Sequence, residues 1–287
     1  MITITLLCEN HARGAGILGE HGLAFWIDTG THRVLFDTGQ GLALTTNAQR
    51  LGIDLATADA IVLSHGHYDH VGGLSAALAA APSATIHLHP AASEAKFSGQ
   101  PGSGTARRIS LPYIESEAFR SAARTVVSRA DTHRIVPGVW STGEIPRQTD
   151  FEDAGGPFYL DADLTRPDPV RDEQALLVET DEGLVMLSGC AHAGIVNMLA
   201  HVARLRPGTP LRLVLGGWHL ENASPRRMSE TVRHLRATAG PFLGFCHCTG
   251  AAASRRLWQE FPERCVETHV GARWTFVAGA DREPPSP

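Results

Sequence analysis

The run Ala60-Ile61-Val62-Leu63-Ser64 ends in His65-Gly66-His67-Tyr68-Asp69-His70, followed by Val71-Gly72-Gly73-Leu74. No other stretch restricts the fold as strongly. An apolar run bounded by small polar residues reads as a buried strand. Gly72-Gly73 lead into a helix-forming run, residues 74–81, that stops at Pro82. The cluster therefore falls on a strand-to-helix loop, where a rigid scaffold can hold a site.

The spacing has a chemical consequence. His65 and His67 are two apart, so in extended chain their imidazoles face the same way. Asp69 and His70 follow where the chain turns into the helix, and can face the first pair across a small gap. Imidazole nitrogen and carboxylate oxygen are ligands for zinc and similar transition metals. One His/His pair and one Asp/His pair suit two adjacent ions. A polar turn with solvated histidines is the plainer alternative.

The cluster matches the HxHxDH signature and resembles the metallo-β-lactamase superfamily. Further blocks follow in one order: Glu20-His21-Gly22-Leu23, Leu35-Phe36-Asp37-Thr38-Gly39-Gln40, Thr142-Gly143-Glu144-Ile145-Pro146-Arg147, Asp172-Glu173-Gln174-Ala175-Leu176, Gly189-Cys190-Ala191-His192-Ala193-Gly194-Ile195-Val196-Asn197, Gly216-Gly217-Trp218-His219-Leu220 and His247-Cys248-Thr249-Gly250. Together they resemble the subfamily named after dihydropterin-(ribofuranosyl)aminobenzene phosphate synthase, across residues 4–250. The resemblance implies an αββα sandwich. It implies one metal site at His65, His67 and His192 and a second at Asp69, His70 and His247. Asp37 would support the metal loop, because carboxylates behind a site orient ligating imidazoles through their other ring nitrogen. Glu20 and His21 would line the site. Zinc is the expected cofactor, as one or two ions, with manganese or iron as alternatives.

At one point the chain departs from the superfamily pattern. Most dinuclear members place a bridging Asp in a Gly-Asp pair at a strand end. Here those pairs are Gly189-Cys190 and Gly216-Gly217. Cys190 binds as thiolate, His219 moves in, or the second metal is weaker or absent; Cys190 is also a candidate substrate contact. His219 is expected to touch substrate or handle a proton instead of binding metal. Cys246 and Cys248 flank His247, and strand alternation would place both on the face opposite to it, as packed side chains.

Periodicity by itself supports an α/β fold. Residues 2–7 alternate as a strand, and residues 23–27 and 33–36 pair across Asp28-Thr29-Gly30-Thr31. Two further runs pair across Asp181-Glu182-Gly183. Three successive strands then deliver His192, His219 and His247 at their carboxyl ends. Strand-helix units in both halves predict two packed sheets with helices outside.

Between residues 90 and 173 the period is lost, and only residues 114–130 read as helical. Such a stretch is either disordered or a functional insertion. Its aromatic residues Phe97, Tyr113, Trp140, Phe151, Phe158 and Tyr159 argue against disorder. It is expected to cover the metal loop within one domain spanning residues 1–287. Lys96, Arg107 and Arg108 inside it are candidates to hold an anionic substrate group. Solvated surface cations are the plainer reading of each.

Composition narrows the rest. The chain has 287 residues, 43% of them hydrophobic, enough for a sizeable core. A net charge of −5 with no basic tract leaves a nucleic-acid partner without support. No apolar run is long enough for a membrane span, and the amino terminus shows no signal peptide. Five cysteines, an odd number, show no disulfide framework and fit a reducing cytoplasm. The tail, residues 281–287, is expected to fray. The function that follows is a metal-dependent hydrolase or related transferase. It would use metal-activated water, oriented by Asp69, on a small anionic, pterin-like or phosphorylated substrate. The alternative is a non-catalytic ligand-binding or regulatory protein on the same fold. Oligomeric state stays open.

Overall fold

The computed structural model describes residues 1–102, 104–238 and 240–279, so the tail expected to fray lies outside the described residues. In chain order the strands of the first half are β1 (Ile2–Cys8), β2 (Ala24–Asp28), β3 (Arg33–Phe36), β4 (Ala60–Val62), β5 (Thr85–Leu88), β6 (Phe97–Ser98), β7 (Arg107–Arg108) and β8 (Thr125–Ser128). Those of the second are β9 (His133–Val136), β10 (Val139–Ser141), β11 (Phe158–Tyr159), β12 (Leu176–Thr180), β13 (Gly183–Ser188), β14 (Leu211–Gly217), β15 (Phe242–Cys246) and β16 (Arg273–Phe276). The helices are α1 (Leu44–Arg50), α2 (Tyr68–Val71), α3 (Leu74–Ala80), α4 (Pro112–Glu115), α5 (Glu117–Ala122), α6 (Ile195–Leu205), α7 (Pro225–Ala237) and α8 (Ala251–Glu260).

Two sheets dominate. The first runs β16-β1-β2-β3-β4-β5-β8 and the second β15-β14-β13-β12-β10-β9. Their facing surfaces share one apolar core: Ile4, Phe25, Phe36 and Val62 from the first sheet meet Val178, Val185, Leu187 and Leu215 from the second. The outer face of the first sheet packs on α1, α3 and α5 through Leu44, Leu74, Leu78 and Phe119. The outer face of the second packs on α6, α7 and α8 through Ile195, Leu199, Val232, Leu235 and Leu257. The result is the four-layer αββα sandwich. Strands buried on both faces read as continuous apolar runs instead of alternating ones, which is why β4 and β13 look alike in sequence.

β3, β4, β5 and β8 run parallel, as do β13, β14 and β15. Parallel neighbours need crossovers, so successive carboxyl ends emerge at one edge. Ser224 starts α7 by accepting from Arg227 N at 3.1 Å, with Pro225 in the first helical position.

Residues 90–173 do not form one cover. Within them β8 extends the first sheet, while β9 and β10 extend the second. Residues 125–128 are strand, not the end of a helix over 114–130: α5 stops at Ala122, and the β-branched Thr125-Val126-Val127 completes the ladder beside β5. A small sheet, β11-β6-β7, uses the rest of the segment to bring Phe158 beside the metal loop.

Candidate metal centre

β4 ends where Leu63 and Ser64 carry the chain into His65. Asp37, at the end of β3, holds this turn with one carboxylate. Its Oδ1 accepts from Ser64 N at 2.7 Å. Its Oδ2 accepts from Ser64 Oγ and from His70 Nδ1, each at 2.7 Å. Gly66 N donates to Asp172 Oδ2 at 2.7 Å, tying the loop to the second half. α2 then turns Asp69 and His70 back toward His65. On the facing sheet Gly189 lets β13 press against this loop, since a Cβ there would lie 2.1 Å from Ser64 Oγ. Ala191, His219 and His247 each adopt left-handed backbone, with φ of 57°, 44° and 51°. Non-glycine residues held there cost energy and cluster at functional sites.

The imidazoles converge. Ring centroids lie 4.5 Å apart for His65 and His67, 4.9 Å for His65 and His192, 4.8 Å for His67 and His192, and 5.1 Å for His70 and His247. His192 Nδ1 donates to Ala154 O at 2.7 Å, and His247 Nδ1 to Asn10 Oδ1 at 3.0 Å. Because Ser64 Oγ donates to Asp37, it accepts from His65 Nδ1 at 2.9 Å. Each of these bonds leaves Nε2 as the lone-pair nitrogen. Nε2 of His65, His67, His192 and His247 is buried without a hydrogen-bond partner. Asp69 Oδ2 stands among the second set, 3.3 Å from His247 Nε2, 3.8 Å from His70 Nε2 and 3.4 Å from His21 Nε2.

Burial keeps the first set neutral. It pushes His67 down to about 3 and holds His65 and His192 well below the usual imidazole range. At His70 burial acts in the same sense, but the carboxylates of Asp37 and Asp69 overcome it and raise the ring to about 9. Burial would raise Asp69; His70, His21 and His247 together hold it well below the carboxylate range instead. Burial lifts Glu173, whose carboxylate receives His192 N at 2.7 Å and Ala193 N, to about 7. Unpartnered imidazole nitrogens beside an ionised carboxylate and a thiol are a transition-metal donor set, and the residues present fit such an ion.

Beside these side chains lies a cavity of about 270 Å³, lined by His21, Tyr68, Asp69, Arg107, Phe158, Cys190, His192, His219 and Cys248, among others. Of the residues expected to meet substrate, His21, Arg107, Cys190 and His219 reach it. Arg107 lies over the Tyr68 ring, 5.4 Å from its centroid.

Three do not reach it. Glu20 is buried and accepts from Gln40 N, Leu42 N and Ala43 N at 3.1, 2.8 and 3.1 Å, so its carboxylate is spent on the start of α1. Lys96 is fully buried between Asp172 and Asp168, at 2.8 and 3.0 Å. Arg108 pairs with Glu115 and donates to Ser110 Oγ at 3.1 Å. Cys248 departs from expectation in the other direction. Alternation ends with β15 at Cys246, and residues 247–249 form a 3₁₀ turn, so Cys248 faces the cavity while Cys246 stays in the core. Phe158, Asn10 and Glu173 had no motif of their own; only Glu173 stood inside one of the recognised blocks.

A family profile described as the metallo-beta-lactamase superfamily matches residues 18–196. The chain is 31% identical over 281 residues to 7,8-dihydropterin-6-methyl-4-(β-D-ribofuranosyl)-aminobenzene-5'-phosphate synthase of Methanocaldococcus jannaschii, covering 94% of this chain and 95% of that relative. Among solved structures, Tm1679, a metal-dependent hydrolase of the β-lactamase superfamily, matches with a TM-score of 0.82 at 28% identity, covering 96% of this chain and 100% of that one. Zn²⁺-bound PqqB from Methylobacterium extorquens, with a TM-score of 0.57 at 13% identity over 96% of this chain and 100% of that one, shares the fold alone. Loop, sandwich and sequence identity agree, and the chain belongs to the metallo-β-lactamase superfamily.

Proposed function

We propose that the protein is a metal-dependent hydrolase or related transferase acting on a small anionic substrate of pterin-like or phosphorylated type. The observation that carries this reading is the set of four buried, unpartnered Nε2 atoms of His65, His67, His192 and His247, of which His67 and His192 line the cavity itself. His65, His67 and His192 would hold one ion, and Asp69, His70 and His247 a second, with zinc, manganese or iron as candidates. Bound there, such an ion supplies Lewis acidity and lowers the pKa of water to about 7.

The chain's own groups do the rest. Asp69 accepts a hydrogen bond from the attacking water and orients it. Arg107 offers the anion a charged fork at the cavity wall. Phe158 presents an aromatic surface for a flat ring beside His67 and His192. His219 Nε2 donates to Gly155 O at 3.3 Å, which leaves Nδ1 unpartnered as the lone-pair nitrogen; once protonated there, the ring can pass that proton to a leaving group. The similarity to the phosphate synthase of Methanocaldococcus jannaschii supports the substrate class.

The test is turnover of phosphoester, phosphodiester and dihydropterin substrates by purified protein, before and after chelation. Activity that vanishes on chelation and returns with zinc or manganese supports the reading. Metal-loaded protein that binds a dihydropterin without turning it over would favour the second reading, a ligand-binding protein. The absence of aspartate from Gly189-Cys190 and Gly216-Gly217 is what keeps that alternative in play.

A further inference from the structure

The two ligand sets proposed above do not include Cys190. It follows β13 and is 2% exposed. Its Sγ lies 3.0 Å from His70 Nε2. Among the described residues, three groups of donor atoms have all members within 4.8 Å of one another: Cys190 with Asp69, His70 and His247, Cys190 with His65 and His192, and Cys190 with His219 and Cys248. Cys190 is the member common to all three. The first two groups draw on the two sets that would hold separate ions, with His67 of the first set standing outside its group. Independently of the thiol, His65 Nε2 and His192 Nε2 are unpartnered on side chains 0% and 1% exposed.

We propose that the Cys190 thiolate is a ligand shared by the two metal positions, placed between them where neither strand end offers a carboxylate. The inference rests on the metal-dependent reading and adds the ligand that joins its two halves. Chemistry favours sulfur here. Two cations held a few ångströms apart repel, and an anionic ligand common to both offsets that repulsion. Thiolate is a recognised zinc ligand with a bond near 2.3 Å. On binding, the S–H bond breaks, sulfur bonds to metal, and the proton leaves to solvent, so uptake is coupled to proton release. Local backbone sets the sulfur's position. Gly189 is pressed against Ser64 and Asp37, and Ala191 turns the chain through left-handed φ, so Cys190 is pinned from both sides. A soft ligand between the ions also biases the site toward zinc, iron or cobalt over manganese.

The experiment is cobalt(II) reconstitution of the full chain after chelation, read by absorbance and by metal stoichiometry. Wild type and Cys248→Ser are expected to show a near-ultraviolet thiolate-to-cobalt charge-transfer band. Cys190→Ser and Cys190→Ala are expected to lose that band and to weaken the second equivalent of metal by at least about tenfold, the scale of a lost ligand-supporting group. Wild-type protein that binds cobalt without the band overturns the inference while leaving the metal-dependent reading intact, and this outcome needs no variant. A band that survives in Cys190→Ser and disappears in Cys248→Ser overturns it equally. Protein that takes up no cobalt overturns both.

Discussion

Asp37 Oδ2 lies 2.7 Å from Nδ1 of His70, and both side chains are wholly buried. The same carboxylate holds Ser64 N and Ser64 Oγ, so one residue sets the turn and the orientation of two imidazoles. Asp37→Asn keeps the shape but loses the charge and one acceptor. It is expected to weaken metal binding by about 10- to 100-fold, the usual cost of removing a partner behind a ligating histidine. Titration against a chromophoric chelator measures this. Unchanged affinity would mean that His70 needs no such support.

Lys96 carries a separate structural prediction. Its ammonium is buried between two buried aspartates, and Asp172 also receives Gly66 N from the metal loop. Removing one partner of a buried ion pair leaves uncompensated charge and costs about 3–5 kcal/mol. Lys96→Met should therefore lower unfolding free energy by that order in urea titrations. Arg107→Ala should leave the same curve in place while weakening binding of an anionic substrate. Equal stability in both variants would contradict the assignment of these two cations.

His219→Ala should keep its metal content and lose turnover, by roughly 100-fold if the ring transfers a proton. Metal analysis and kinetics on the same preparation separate the possibilities. Loss of one metal equivalent, or coordinates with a His219 nitrogen about 2.0–2.1 Å from zinc, would make it a ligand.

His87 and His133 link the two sheets, and His87 O accepts from Leu63 N at 2.9 Å just before the metal loop. His133 Nδ1 donates to Asp131 O at 2.9 Å, leaving Nε2 to accept from His87 Nδ1 at 3.3 Å. Burial first, and His133 second, push His87 down to about 4. The unfolded ring titrates near 6.5, so the unfolded chain takes up this proton first. Stability should therefore fall as pH drops from about 6.5 and level off below the folded-state value of about 4. In His87→Asn, which retains a donor near the same place, that part of the slope should flatten. An identical slope, followed by urea midpoints across the range, would assign the acid sensitivity to other groups.

Sequence alone determined the parts of this protein whose information is local. The run into His65-Gly66-His67-Tyr68-Asp69-His70 specifies strand, turn and helix within a few residues. The strands leading to His192, His219 and His247 repeat that arrangement, so their delivery to one edge could be read from apolar runs and turn residues. Tertiary structure decided which charged groups were free to act. Glu20 and Lys96 looked available because their partners lie 23 and 76 residues away, at Ala43 N and Asp172. It also decided that residues 125–141 join the sheets, since edge pairing depends on which strand is left open, and that Cys248 turns inward where β15 gives way to a 3₁₀ turn. Cys190 shows the division within a single residue. Its place beside His192 is a property of the chain, whereas its sulfur comes within 3.0 Å of His70, 120 residues away, only because two sheets close on each other. Burial and pairing are properties of the assembled core, where the energy of a polar group is set by neighbours that no local window contains.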